Sequence, residues 1–198
     1  MNKVPAEIWD SLYRQDKIPW RSRGISIITR RFLEDYSHGR KLLEIGCGIG
    51  DDAENFVDLG FDYYGLDFSE SAINKAKLRL SSKKFHFVCA DAFRWATKSS
   101  FDVIYEKGFF HGLNGVRQRN IFVQRNAVLL QPKGIWISVC GSADYKREDF
   151  SHGAIYLRDL IAPAEIYFEV LEVVKGNYGL ADSRYDFDAW YTIFRRRQ

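Results

Sequence analysis

A chain of 198 residues, 46% of them hydrophobic, is long enough to bury one sizeable core and short for two, so we expect a single domain over residues 1–198. The formal net charge is +3 and the lysines and arginines are scattered, which argues against a partner with a continuous phosphate backbone. The three cysteines, Cys47, Cys89 and Cys140, form no C-x-x-C pair and have no matching His spacing, so neither a disulfide framework nor a zinc site is suggested; with no leader-like apolar stretch before Trp9 and no membrane-length run, a cytoplasmic protein is expected.

Residues 1–40 hold two helix-like patches, Ala6 to Arg14 and Ile25 to Tyr36, broken around Pro19 and Gly24. Trp9, Tyr13 and Trp20 concentrate large rings there. They either fix an N-terminal helix to the sheet or, for Trp20 in particular, form a lid and an apolar wall for a substrate.

Leu42, Leu43 and Ile45 then make the apolar run of a central parallel strand, which leads straight into Gly46-Cys47-Gly48-Ile49-Gly50. Glycines at alternate positions permit positive φ and bring backbone amides and a helix start toward a ligand. In the diphosphate-binding pattern G-x-G-x-x-G, counted from Gly46, the third small position is Asp51. A carboxylate there repels phosphates but suits a ligand that lacks phosphate and carries positive charge, as S-adenosylmethionine does with its sulfonium and ammonium groups. Glu44 adds a second acid on the same strand. The plainer alternative is a tight strand-to-helix turn with a surface Asp cap.

A helix from Asp51 to Leu59 and a strand from Phe61 to Asp67 follow. Asp67 lies about twenty residues past the glycines, where a βαβ unit sets a carboxylate within reach of ribose hydroxyls. It could instead cap the helix Glu70 to Leu80, although Ser69 is also able to do so. A third strand, Phe85 to Cys89, ends at Ala90-Asp91-Ala92-Phe93, and this second acid past a strand end is placed to meet an adenine amino group. The strand Phe101 to Tyr105 leads into the polar and aromatic cluster Glu106-Lys107-Gly108-Phe109-Phe110-His111, where we expect substrate. A helix from Val116 to Leu130 closes at the turn Gln131-Pro132-Lys133-Gly134, before a strand from Ile135 to Cys140. Residues 141–155 read as a mobile loop over the site. A short helix spans Tyr156 to Ile161, and two β-like runs, Phe168 to Val174 and Ala189 to Phe194, suit an antiparallel edge pair.

In this order, Glu44-Ile45-Gly46-Cys47-Gly48-Ile49-Gly50, Gly65-Leu66-Asp67-Phe68-Ser69, Ala90-Asp91-Ala92-Phe93, Phe101-Asp102-Val103-Ile104-Tyr105 and Leu130-Gln131-Pro132-Lys133-Gly134 resemble the motifs of class I S-adenosylmethionine-dependent methyltransferases. Trp9-Asp10-Ser11-Leu12-Tyr13-Arg14, Ile18-Pro19-Trp20 and Phe109-Phe110 look like the thiopurine and thiol methyltransferase branch. The resemblance implies an α/β, Rossmann-like, seven-stranded and mostly parallel sheet of order 3-2-1-4-5-7-6. Strand 7 is then antiparallel, helices cover both faces, and residues 1–40 form a helical lid on a core of residues 41–198. It implies S-adenosylmethionine contacts at Glu44, Gly46, Gly48, Asp67, Asp91 and the backbone of Ala92 and Phe93, with Cys47 and Phe68 alongside. Where the thiol branch usually carries an Asp-Tyr pair before the two phenylalanines, this chain has Glu106-Lys107-Gly108, and His111 follows them.

A sulfonium is already a good electrophile, so such an enzyme mainly aligns the nucleophile and excludes water. An alcohol or amine acceptor needs a base, whereas a thiol supplies part of its own thiolate. His111 is the candidate base, or else a loop histidine bonded to backbone, with Glu106 and Tyr105 as orienting alternatives. Trp20, Phe109, Phe110 and His111 are the expected acceptor wall. The reading is a methyltransferase acting on a small molecule. Its competitors are a protein or nucleic-acid methyltransferase, a nicotinamide-dependent oxidoreductase and a non-catalytic partner subunit.

Overall fold

The computed structural model describes residues 6–81, 84–144, 154–182 and 186–198. Strands β1 (Lys41–Ile45), β2 (Asp62–Asp67), β3 (Phe85–Cys89), β4 (Phe101–Lys107), β5 (Leu130–Ser142), β6 (Ala154–Ile155), β7 (Phe168–Asn177) and β8 (Asp188–Arg196) form one sheet. Its order is β3-β2-β1-β4-β5-β8-β7, with the two-residue β6 beside β5. Only the pairs that involve β8 are antiparallel. With β6 set aside this is the expected order, and β6 makes the count eight rather than seven.

The strand period of two sorts the core onto two faces. Leu42, Tyr63, Val103, Tyr105 and Ile137 face Phe32 of α2 (Ile27–Tyr36), Phe56 of α3 (Ala53–Asp58) and Ile73 of α4 (Glu70–Arg79). Leu43, Ile45, Ile104 and Trp136 face Phe122 and Val123 of α5 (Gly115–Leu129) and Leu160 of α6 (Leu157–Ala164). Helix α1 (Ala6–Arg14) packs beside α4, outside this layer, and Asp10 joins the two: its Oδ1 accepts from Ser69 Oγ at 2.7 Å and from the Ser71 amide at 3.0 Å.

Two expectations change. The turn Gln131–Gly134 does not end the helix ahead of a separate strand. Strand β5 already begins at Leu130 opposite Phe101, and its register then jumps to Val103↔Ile135, so the turn residues bulge out with Lys133 at φ 63°. The antiparallel pair expected at the edge is there, with β7 outermost and β8 between it and β5. Of the loop expected over residues 141–155, Gly141 and Ser142 belong to β5 and pair with Ala154 and Ile155, while residues 145–153 lie outside the described residues.

Trp136 anchors the second face. Its ring stacks on Phe194 with centroids 4.6 Å apart and meets Phe168 at 5.5 Å, Phe110 at 5.8 Å and Phe122 at 6.0 Å. Its indole Nε1 has no partner among the described residues. Trp136→Ala should therefore lower the unfolding free energy by about 3–5 kcal/mol through the cavity it leaves. Trp136→Phe should cost less than about 1.5 kcal/mol, since it removes no hydrogen bond. Urea denaturation of the two variants checks this, and equal losses would show that ring packing is not what Trp136 contributes.

Candidate functional site

The site is built at the carboxyl edge of the parallel strands, on the turn after β1. Gly46, Gly48 and Gly50 hold φ of 76°, 53° and 72°, conformations open to glycine and strained for other residues. This lets the turn fold back on itself. The amides of Gly46 and Cys47 both donate to Leu66 O, at 2.7 and 3.1 Å, that of Gly50 donates to Cys47 O at 2.9 Å, and that of Gly48 donates to Asp67 Oδ2 at 2.9 Å. The sequence led us to expect these amides to face a ligand, and the structure turns all four inward. A diphosphate needs such donors, so this turn is poorly equipped to hold one.

Rings cover the glycines. A side-chain carbon on Gly46 would lie 3.0 Å from the Phe109 ring, and one on Gly48 would lie 2.7 Å from the Tyr13 hydroxyl. Trp20 donates its indole N–H to that hydroxyl at 3.0 Å and meets Trp9 edge-on at 4.8 Å. Trp20 is half-buried, so it serves both as packing for α1 and as part of the cover.

The acids around the turn have different roles. Glu44 is buried and accepts from the Tyr63 hydroxyl at 2.5 Å, and burial together with Asp52 pushes its carboxyl well above the usual range. Burial thus favours the neutral form of this second acid. Asp51 does not wait for a ligand's cation: Arg21 Nε reaches its two oxygens at 3.0 and 2.7 Å, the Ser22 amide at 3.0 Å, and Arg79 stands 3.6 Å away. Asp52, which sequence reasoning passed over, is buried and accepts from Ser22 Oγ at 2.6 Å and from the Tyr105 hydroxyl at 3.1 Å. The pair Asp51-Asp52 was its only sequence signal.

Asp67 closes the turn. Its Oδ1 accepts from the Ser69 amide at 2.9 Å, opposite the bond from Gly48. Ser69 itself caps α4 by accepting from the Ala72 amide at 3.1 Å. The two residues thus divide the tasks the sequence left open. Burial pushes the Asp67 carboxyl up to about 6, against the pull of its amide donors. Beyond it, Phe68 and Asp91 are exposed, Asp91 Oδ1 accepts from the Phe93 amide at 2.8 Å, and Ala92 O accepts from Arg125 at 3.0 Å. Cys47 is buried, its thiol pushed well up by burial.

On the acceptor side β4 runs on to Lys107, so Glu106 is a strand residue with no exposed surface and not part of the loop. Its Oε2 accepts from the amides of Phe109 and Phe110, both at 3.0 Å, and its Oε1 from Ser138 Oγ and, at 3.7 Å, Cys140 Sγ. Burial pushes this carboxyl up to about 7. Tyr105 is buried and spends its hydroxyl on Asp52, so neither residue is presented to a substrate as expected. Phe110 is also no wall residue, being fully buried among the second-face rings, whereas Phe109 is half-buried against Gly46.

His111 is half-buried, and its Nδ1 accepts from the Gly141 amide at 2.8 Å. A neutral ring bonded in this way carries its proton on Nε2, so that nitrogen donates and does not abstract. This is the backbone-bonded alternative, and it counts against the general-base role. Lys107, which sequence reasoning left without a role, donates to Ser22 Oγ at 2.7 Å and lies over the Tyr178 ring at 5.3 Å. Ser22 bridges to Leu180, so residues from near both ends of the chain meet here.

A family model described as a methyltransferase domain matches residues 43–136, which hold the glycine turn, Asp67, Asp91 and Glu106. This match and the relatives that follow support a class I S-adenosylmethionine-dependent methyltransferase. It is 29% identical over 138 residues to a probable thiol methyltransferase of Arabidopsis thaliana, covering 66% of this chain and 60% of that protein. A malonyl-[acyl-carrier protein] O-methyltransferase of Bacillus anthracis is 34% identical over 102 residues, 50% of this chain and 37% of that one. The chain thus spans less than two thirds of either relative. Among solved structures, the N-methyltransferase NodS of Bradyrhizobium japonicum with S-adenosylhomocysteine has a TM-score of 0.72 at 18% identity, covering 100% of this chain and 94% of that one. No helix among the described residues is long and apolar enough to cross a membrane.

The Asp67 carboxyl makes stability depend on pH. Its folded pKa of about 6 exceeds the ordinary 3.8, so between these values the folded chain holds a proton that the unfolded chain has released. Stability contributed at this site is therefore highest below the ordinary value and is lost as pH rises to about 6. Relative to Asp67→Asn, the parent chain should lose about 2.4 kcal/mol between pH 4 and pH 7.5. Denaturation of both proteins at the two pH values measures it, and a constant difference would show that Asp67 does not titrate abnormally.

Proposed function

We propose that this chain transfers the methyl group of S-adenosylmethionine to a small, partly apolar nucleophile such as a thiol. The observation that carries the reading is the inward-turned glycine loop, ringed by Glu44, Asp51, Asp52 and Asp67. Its amides are spent within the fold where a dinucleotide would need them as donors, and it leaves acids at the end of β2 and just past that of β3, Asp67 and Asp91, where an adenosine without phosphates would lie. Asp67 would hold the ribose hydroxyls, Asp91 with the backbone of Ala92 and Phe93 the adenine, and Gly46, Cys47 and Gly48 the methionine part beside Glu44, with Phe68 flanking. When bound, the cofactor supplies an electrophilic methyl group. The protein's task is then to seat the acceptor and keep water out, and Trp20, Phe109 and His111 flank the space at the β4 edge where that happens. Residues 6–40 serve as its cover within one catalytic unit.

A thiol acceptor is favoured by the placement of His111, which leaves the site without an evident base, and by the thiol methyltransferase likeness. The malonyl-[acyl-carrier protein] O-methyltransferase likeness supports a second reading, in which the small acceptor arrives on a carrier protein.

Calorimetry should show S-adenosylhomocysteine binding at micromolar level, of order −8 kcal/mol, and no binding of NAD. Labelled cofactor with a panel of thiols, thiopurines, amines and small acids, read by mass spectrometry, then identifies the acceptor. NAD binding without a response to S-adenosylhomocysteine would overturn the reading. Asp67→Ala should weaken S-adenosylhomocysteine by roughly 1–3 kcal/mol while the domain stays folded. A large fall in melting temperature at unchanged affinity would mark Asp67 as a structural tie alone.

A further inference from the structure

Glu106 is the most heavily hydrogen-bonded acid on the acceptor side, and no step of methyl transfer to a thiol calls for it. Its carboxylate has no exposed surface and so cannot touch an acceptor. Four donors converge on it from two elements: the amides of Phe109 and Phe110 in the turn after β4, and Ser138 and Cys140 from β5. The residues it governs are the ones that face the site. Phe109 carries the ring over Gly46, and His111 follows in the same 3₁₀ turn, Phe110–Gly112. His111 is tied in turn to Gly141, the residue after Cys140. The β4 turn and β5 are thus clamped twice, once through Glu106 and once through His111.

We propose that Glu106 is a positioning residue: its buried carboxyl group sets where Phe109 and His111 stand, and through them how the acceptor is aligned. Building this on the methyltransferase reading above, the prediction is that hydrogen-bond geometry at Glu106 matters and its charge does not. An amide at this position keeps the arrangement, because its oxygen accepts from both turn amides and its NH₂ group donates to Ser138 Oγ. A carboxylate one methylene shorter keeps the charge but withdraws the acceptor by ~1.5 Å, so the turn must follow it or lose its bonds.

The test compares Glu106→Gln and Glu106→Asp with the parent chain. It uses calorimetry with S-adenosylhomocysteine, methylation of 4-nitrobenzenethiol followed by loss of thiolate absorbance, and nitrogen NMR of labelled histidine with His111 assigned by His111→Asn. Glu106→Gln should keep the His111 ring resonances and a kcat/KM within about threefold of the parent. Glu106→Asp should shift those resonances and lower kcat/KM for the thiol by roughly tenfold or more. Both variants should bind S-adenosylhomocysteine within about threefold of the parent. Loss of activity in Glu106→Gln with activity kept in Glu106→Asp would make Glu106 an acid or base and overturn the proposal. So would a Glu106→Asp protein that melts lower while keeping the parent's His111 signal and kinetics, which is what packing alone predicts. A parent chain that does not bind S-adenosylhomocysteine would sink the methyltransferase reading instead, and the His111 resonances would still decide the positioning role.

Discussion

Leu66 O accepts the amides of both Gly46 and Cys47, and much of the carboxyl edge of the sheet follows from that pair of bonds. A loop that curls onto the neighbouring strand in this way must pass through positive φ, which its glycines supply. Once it has curled, the Gly48 amide points at the end of β2, where Asp67 receives it, so strand and turn close on each other through a carboxylate. The same curl sets Gly46 and Gly48 where a Cβ would crowd the Phe109 ring and the Tyr13 hydroxyl, so glycine at these two positions leaves room for both rings. A single carbonyl thereby takes up two of the turn's donors and starts the curl that brings Gly48 to Asp67 and the glycines under the rings.

What could be read from the sequence was local. The strand runs, the glycine spacing, the acids at the end of β2 and just past β3 and the Ser69 cap depend on a few neighbouring residues and on the period of two, and the structure has them where the pattern puts them. The Gln131-Pro132-Lys133-Gly134 stretch shows the opposite. Its composition is that of a turn, but pairing of β4 with both Leu130 and Ile135 carries the strand through it, and Lys133 takes the unfavourable φ. Tertiary pairing outweighed local preference there.

The roles of the site's polar residues were hidden because they depend on partners far away in the chain. Arg21 and Asp51 are 30 residues apart, as are Ser22 and Asp52, and likewise Gly141 and His111. No spacing rule links them. A histidine's chemistry is set by which nitrogen is already engaged, and for His111 a backbone amide on another strand decides it. Likewise Glu106 reads as a loop acid only while β4 is taken to stop at Tyr105. Two more strand residues turn it into the core, where burial and four donors replace solvent.

Folding and ligand pull the acids of this site in opposite directions. Burial favours the neutral forms of Glu44 and Asp67, because a carboxylate taken out of water loses hydration that amides and a tyrosine replace only in part. A cation brought to the same place favours the charged forms. The free protein offsets part of this conflict with its own cations, Arg21 and Arg79 at Asp51 and Lys107 through Ser22 beside Asp52. Arg21 and Ser22 belong to the N-terminal segment, whose Arg21 O accepts from the Ala181 amide at 2.7 Å and whose Arg23 amide donates to Gly179 O at 3.3 Å. The segment that covers the glycine turn is therefore also the one that balances its charge, which ties access to the site to its electrostatics. On the proposed reading, acids that burial pushes toward the neutral form and a cationic guest would ionise cost stability, and a core built for stability alone would have replaced them with apolar side chains.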